Sequence, residues 1–380
     1  MPEPHSLGDR DWKLLLQRID DEKCTPIIGA DVFASLLPPF ATLAQSWAHE
    51  NDYPFADPTD IARVAQYLAV NFDPLYPKEE LQRAFAEHPS PPDDPQLPHH
   101  ILASLPFPIY ITTSYDDLLF KALQDQRKEP KVEICRWNEL LQNSHPSLLE
   151  AGFEPTVATP IVYHLFGHHT IPESLVLAED DYYDFLVNIS SGEFNIPSRI
   201  QRALASTSLL FLGYTPTALD FRILFRGLVA ASESALRRIN VTVQLPPVPE
   251  GTPDHIQDKI QNYLNEYFDQ ADSRMRVYWG EAPTFLQELN QRTQNITPPP
   301  PPPEASNTYF YDPMKLLDTM MDAFSLEDMR TLAFELRVDY DRLPPAKDLF
   351  AREFIVYMQR TQRLPELITR CRELRPTREW

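Results

Sequence analysis

Glycine is scarce in this chain, with nine in 380 residues. With so few present, those at strand ends, Gly29, Gly167 and Gly213, read as placed for backbone geometry. Cysteine is scarcer. Cys24, Cys135 and Cys371 lie far apart and offer neither a disulfide framework nor a Cys-x-x-Cys zinc pair, which suits a reducing cytoplasm. Basic charge is in deficit: 34 Lys and Arg against 55 Asp and Glu leave a net charge of −21. A surface that acidic repels nucleic-acid phosphate and anionic lipid, so neither is expected as a partner. Long apolar runs are missing too. The longest, near Leu209–Leu212 and Ile161–Val162, are far too short to span a bilayer, and Met1–Ser6 lacks the pattern of a secretory signal.

Proline, by contrast, is abundant, at 39 residues. Six stand consecutively from Pro298 to Pro303. Such a run forms a semi-rigid polyproline II spacer of about 19 Å at ~3.1 Å per residue. It predicts a division into an α/β domain over residues 1–296, a linker over 297–306 and an all-helical domain over 307–380. In the tail, apolar spacing predicts helices near Asp312–Ala323, Leu326–Leu336, Ala346–Arg360 and Leu364–Leu374. Ser325 and Asp328 have the spacing of a capping box. From Ala305 onward there are 12 basic and 13 acidic residues, a net of 12 − 13 = −1, so the acidity belongs to the α/β part.

Before the spacer, β-prone runs alternate with helical spacing. Cys24–Ile28 is a buried strand broken at Gly29, and Phe40–His49 a following helix. Asp57 is the expected cap of the next helix. Strands are predicted at Ile109–Ile111, Val132–Cys135, Pro160–Gly167, Ser208–Gly213, Ile239–Leu245 and Met275–Trp279, with a further short one at Ser174–Leu177. Helices are predicted at Asp180–Ile189, Ile196–Ala205, Ala218–Ala230, Pro253–Phe268 and Ala282–Leu289. Alternation of this kind implies an α/β fold with a doubly wound, mostly parallel sheet. In such a sheet ligands gather at the carboxyl ends of the strands.

The stretch Ile109–Phe120 is the focal one. It runs from a strand through Thr112, Thr113, Ser114, Tyr115 and Asp116 into a helix. Two readings of that turn stand side by side. It presents hydroxyls and a carboxylate to a sugar or phosphate, or Ser114 and Asp116 merely satisfy helix N–H groups. His164 and His168 have two readings as well. Either supplies a general base, or His164 is a half-buried structural residue and His168 a solvated one. Their spacing would pair two metal ligands on a helix but not on a strand, so no metal site is expected.

Four strand ends taken together, Gly29-Ala30-Asp31, Thr112-Thr113-Ser114-Tyr115-Asp116, His164-Leu165-Phe166-Gly167 and Gly213-Tyr214 with Asp220-Phe221-Arg222, resemble the sirtuin-like domain of bacterial antiviral proteins. The resemblance covers roughly Asp9 to Arg292. It implies a sirtuin-like Rossmann fold with NAD as substrate or ligand. It further implies a nucleotide held by Gly29, Ala30, Asp31, Thr112, Thr113, Tyr115, Gly167, Gly213, Tyr214, Asp220 and Arg222. Acid–base work would fall to Asp116, Ser114 and His164 or His168. Four positions depart from the family. Its second glycine is Asp31, its serine in the same motif is Phe33, its catalytic asparagine is Ser114, and its histidine before glycine is Phe166. The family's protein-deacylating members need a four-cysteine zinc ribbon, which is absent, so deacylation is not expected. An active enzyme would be a nicotinamide-releasing NAD glycohydrolase. The alternative is a catalytically inactive scaffold or nucleotide sensor.

The tail resembles the small effector-associated, death-like helical domains of bacterial conflict systems. The residues that carry this are Phe324–Tyr340, Phe354–Arg360 and Leu364–Arg370. It implies pairing with a like domain on a protein partner, or self-association, in a cytoplasmic defence protein.

Overall fold

The computed structural model describes residues 7–191, 196–214, 240–245, 252–269, 274–295 and 313–336, with 338, 344, 346–360, 364–375 and 378. The chain divides into two compact units, Met1–Thr297 and Pro298–Trp380. The proline run and the helix expected at Ala218–Ala230 lie outside the described residues.

The first unit is built on a seven-stranded sheet. Its strands are β1 (Cys24–Ile28), β2 (Ile109–Thr112), β3 (Lys131–Ile134), β4 (Ile161–His164), β5 (Ser208–Leu212), β6 (Asn240–Leu245) and β7 (Arg274–Trp279). They lie side by side in the order β3-β4-β2-β1-β5-β6-β7, and each described pairing is parallel. The chain builds outward from β1 on one side through β4, then returns to the other side of β1 with β5. The switch point is therefore at β1, and the carboxyl ends of β2, β1 and β5 meet there.

Alternate residues of each strand feed opposite cores. Ile27, Leu209 and Phe211 enter one apolar cluster with Trp47, Val64, Leu68 and Phe185. Ile28, Leu210 and Leu212 enter the other with Trp12, Leu102, Leu119 and Phe285. Burial on both faces explains why these strands read as continuous apolar runs.

Two local expectations are corrected and one helix is added. Asp60, not Asp57, caps the helix Ile61–Asn71, accepting from the N–H groups of Ala62 and Arg63. Asp57 instead binds Thr59 within the preceding turn. The strand expected at Ser174–Leu177 is a 3-10 turn, Pro172–Ser174, followed by irregular chain. A helix at Tyr76–Glu87, which the sequence reading passed over, begins with Pro77 in its first turn.

The second unit contains helices at Pro313–Ala323, Leu326–Glu335, Lys347–Arg360 and Leu364–Leu374. They enclose Met320, Phe324, Leu332, Phe354, Met358 and Leu367. The capping box is reciprocal: the Ser325 N–H donates to Asp328 Oδ2 at 2.9 Å, and the Asp328 N–H to Ser325 Oγ at 3.1 Å. Among the described residues no helix is long and apolar enough to cross a membrane.

Candidate functional site

At the switch point the strand ends are stitched directly together. The Gly29 N–H donates to the Leu212 carbonyl at 2.8 Å, and the Thr113 N–H to the Ile28 carbonyl at 2.9 Å. Thr113 Oγ1 lies 3.2 Å from the Tyr214 hydroxyl. Glycine is required here. A Cβ on Gly29 would sit 2.3 Å from the Gly213 carbonyl oxygen. Gly213 has φ +66° and abuts the Val32 backbone.

The turn after β2 is buried and bonded throughout. The Ser114 N–H donates to Thr112 Oγ1 at 3.0 Å. The Ser114 hydroxyl donates to Asp116 Oδ2, while Asp116 Oδ1 accepts the Leu118 N–H at 2.8 Å. Asp116 thus satisfies the N–H of the first residue of the helix Leu118–Asp125, whose N-cap position is Asp117. Burial raises its carboxyl above the ordinary range, although the Ser114 and Leu118 bonds pull the other way. Tyr115 turns away and donates its hydroxyl to the Val176 carbonyl at 2.7 Å.

His164 closes the network. Its Nδ1 lies 3.0 Å from the Ser114 carbonyl oxygen. A carbonyl only accepts, so Nδ1 carries the proton and Nε2 holds a lone pair. Nε2 is buried without a hydrogen-bond partner among the described residues. Burial lowers the imidazole from 6.5 to about 4, so the ring is neutral at pH 7. His168 lies beside it, with ring centroids 4.7 Å apart and planes at 87°. Thr170 sets its tautomer: the Thr170 N–H donates to His168 Nδ1 at 3.3 Å, which leaves the proton on Nε2. Burial, then the charges of His164 and His169, take His168 to about 3.

An extended chain past Gly167 would have put His164, Phe166 and His168 on one face. Instead β4 ends at His164. Phe166 goes into the core, edge-on to Tyr182 and Phe185 at 5.4 and 5.2 Å. The chain reverses at Gly167, whose φ is +90°, and so returns His168 to His164. His168 is therefore buried, not the solvated residue of one reading.

The turn after β1 differs. Ala30–Phe33 is a single 3-10 turn, and Asp31 on it is exposed. Surrounding protein, and secondly the charge of Glu281, hold its carboxyl above the usual range. Phe33 is buried edge-on to His99 at 6.3 Å.

Gly29, Thr112, Thr113, Ser114, Asp116, His164, His168, Gly213 and Tyr214 therefore share one region. Asp220 and Arg222 lie outside the described residues. Sequence reasoning passed over Thr170, which fixes His168, and Glu281, which acts on Asp31. Both reach the site from loops without periodic pattern. Among the described residues no group of three or more His, Cys, Asp or Glu could hold a metal ion.

Comparison with known families agrees with the α/β fold. Residues 108–268 match the SIR2-like domain, and residues 316–376 match effector-associated domain 7. Four relatives bear the name NAD(+) hydrolase ThsA, and three of them show the extent of the match. The protein from Acinetobacter baumannii is 26% identical over 41% of this chain and 29% of its own length. That from Cytobacillus dafuensis is 30% identical over 46% and 31%, and that from Enterococcus faecium 34% over 31% and 22%. The chain thus spans less than a third of these relatives' length. It carries a SIR2-like domain followed by an effector-associated domain.

Proposed function

We propose that the carboxyl edge of β2, β1 and β5 binds NAD or a related nucleotide, and that His164 is the proton acceptor for cleavage of its nicotinamide–ribose bond. The observation that carries this is His164 Nε2, a buried lone pair without a partner among the described residues, beside turns that converge at the switch point. A polar atom left so costs about 1–3 kcal/mol, which a ligand or water meeting it offsets. In the reaction, water bonds to C1′ of the ribose and the C1′–nitrogen pair leaves with neutral nicotinamide. The proton released from water passes to Nε2. Asp116 is then a positioning residue: it orients Ser114, whose carbonyl fixes the His164 tautomer. The names of the ThsA relatives favour the same chemistry.

In this reading the effector-associated domain pairs with a like domain on a partner or on other copies. It brings the catalytic unit to its target in bacterial antiviral defence, in the cytoplasm where NAD resides.

The second reading, an inactive nucleotide-binding scaffold, rests on the bonding of Ser114 and Asp116 to each other and on Phe166 in the core. The purified 380-residue chain incubated with NAD, alone and artificially clustered, separates the two. Nicotinamide release that disappears in His164→Ala, with an acid limb near pH 4, supports the enzyme. Binding without release supports the scaffold.

A further inference from the structure

The site fits a nucleoside better than it fits a diphosphate. This inference rests on the nucleotide-cleft reading above and narrows its ligand class. In dinucleotide-binding sheets the first strand leads through glycines straight into a helix, whose N-terminal N–H groups and dipole receive the pyrophosphate. The corresponding segment here offers less of both.

Four separate features agree. First, β1 is followed by one 3-10 turn, Ala30–Phe33, and the next α-helix starts only at Phe40 after Pro39. Second, three backbone donors of the segment are engaged, the Gly29 N–H on Leu212, the Val32 N–H on Gly29 and the Ala34 N–H on Asp31, which leaves a diphosphate at most those at the start of the turn. Third, the residue two past Gly29 is an exposed carboxylate, Asp31, within electrostatic reach of a second one, Glu281. Fourth, Phe33 offers no hydroxyl and its ring is buried against His99. The Asp31–Val32 backbone packs directly on Gly213, whose Cβ position would lie 3.2 Å from the Asp31 carbonyl carbon and 2.5 Å from the Val32 nitrogen.

We infer that Asp31 is a specificity-determining residue that selects against a diphosphate bridge and in favour of nicotinamide or adenine nucleosides without one. Glu281 reinforces it. A nucleoside keeps its ribose and base contacts at the switch point and brings no charge to the β1 turn. A dinucleotide brings two negative charges to a carboxylate.

Calorimetric titration of the full chain with nicotinamide riboside, adenosine, ADP-ribose and NAD tests this. The wild type is expected to bind the nucleosides at least as tightly as NAD and ADP-ribose. Asp31→Asn and Asp31→Gly are expected to tighten NAD and ADP-ribose about tenfold and leave the nucleosides unchanged, as befits removal of one partly screened repulsion. Glu281→Gln shifts the same ligands in the same direction by less. Asp31 is exposed, so its variants keep the fold, and unchanged melting confirms it. NAD binding tenfold tighter than the nucleosides, or an unchanged ratio in Asp31→Asn, overturns the assignment while leaving the cleft intact. Failure of all four ligands to bind any variant overturns the cleft itself, and this inference with it.

Discussion

The turns after β1 and β2 leave adjacent parallel strands at the same edge of the sheet, yet they dispose of their polar groups in opposite ways. After β2, Thr112, Ser114 and Asp116 satisfy one another and the helix that follows, all out of solvent. After β1, Asp31 stays exposed and Phe33 is buried. The contrast separates support from selection. The β2 turn holds the geometry that orients His164, and the β1 turn sets what charge the ligand brings.

Four measurements break or sharpen this contrast. The largest effect is expected at the seam between the two turns. Gly213→Ala puts a Cβ 2.4 Å from Val32 Cγ2 at φ +66°. Steric conflict with strained backbone costs about 3 kcal/mol or more, so the variant melts far below the wild type or is insoluble. Gly213→Ala with wild-type melting refutes the seam.

Acid is next. A folded imidazole held below its ordinary value stays neutral while the unfolded chain takes up a proton. Stability from His164 is therefore full above pH 6.5 and is lost as pH falls towards about 4. The loss is on the order of 3 kcal/mol. Denaturant titrations across that window should show it in the wild type and a flatter profile in His164→Gln.

Asp116→Ala leaves the buried Leu118 N–H and Ser114 hydroxyl without their acceptor, for about 2 kcal/mol. Urea midpoints measure it. Asp31→Asn, its counterpart in the β1 turn, is expected to move stability by less than about 0.5 kcal/mol. Equal effects for the two aspartates would erase the distinction between the turns.

Much of this organisation was legible in the sequence for physical reasons. The strands are buried on both faces, so their apolar runs stand out, and the tail helices carry strong spacing and a reciprocal Ser325–Asp328 cap. The turn Thr112–Asp116 was legible as a polar link between strand and helix, and the reading in which Asp116 satisfies a helix N–H is the one its bonding matches. What the sequence hid depends on where a strand stops. Alternation predicts one face for His164 and Phe166 only while the chain stays extended, and β4 ends at His164. The tautomers of His164 and His168 depend on a carbonyl and a threonine brought in by the fold, and no spacing rule reports them.

The central claim is that His164 offers an unprotonated Nε2 to a bound ligand. Nitrogen NMR of the histidine-labelled full chain at pH 7, with and without saturating NAD or nicotinamide riboside, tests it most directly, with His164→Gln assigning the signal. The account predicts a neutral, Nδ1-protonated ring whose Nε2 resonance moves when either ligand is added. An Nε2-protonated ring, or a resonance that stays still while ligand binds, contradicts it.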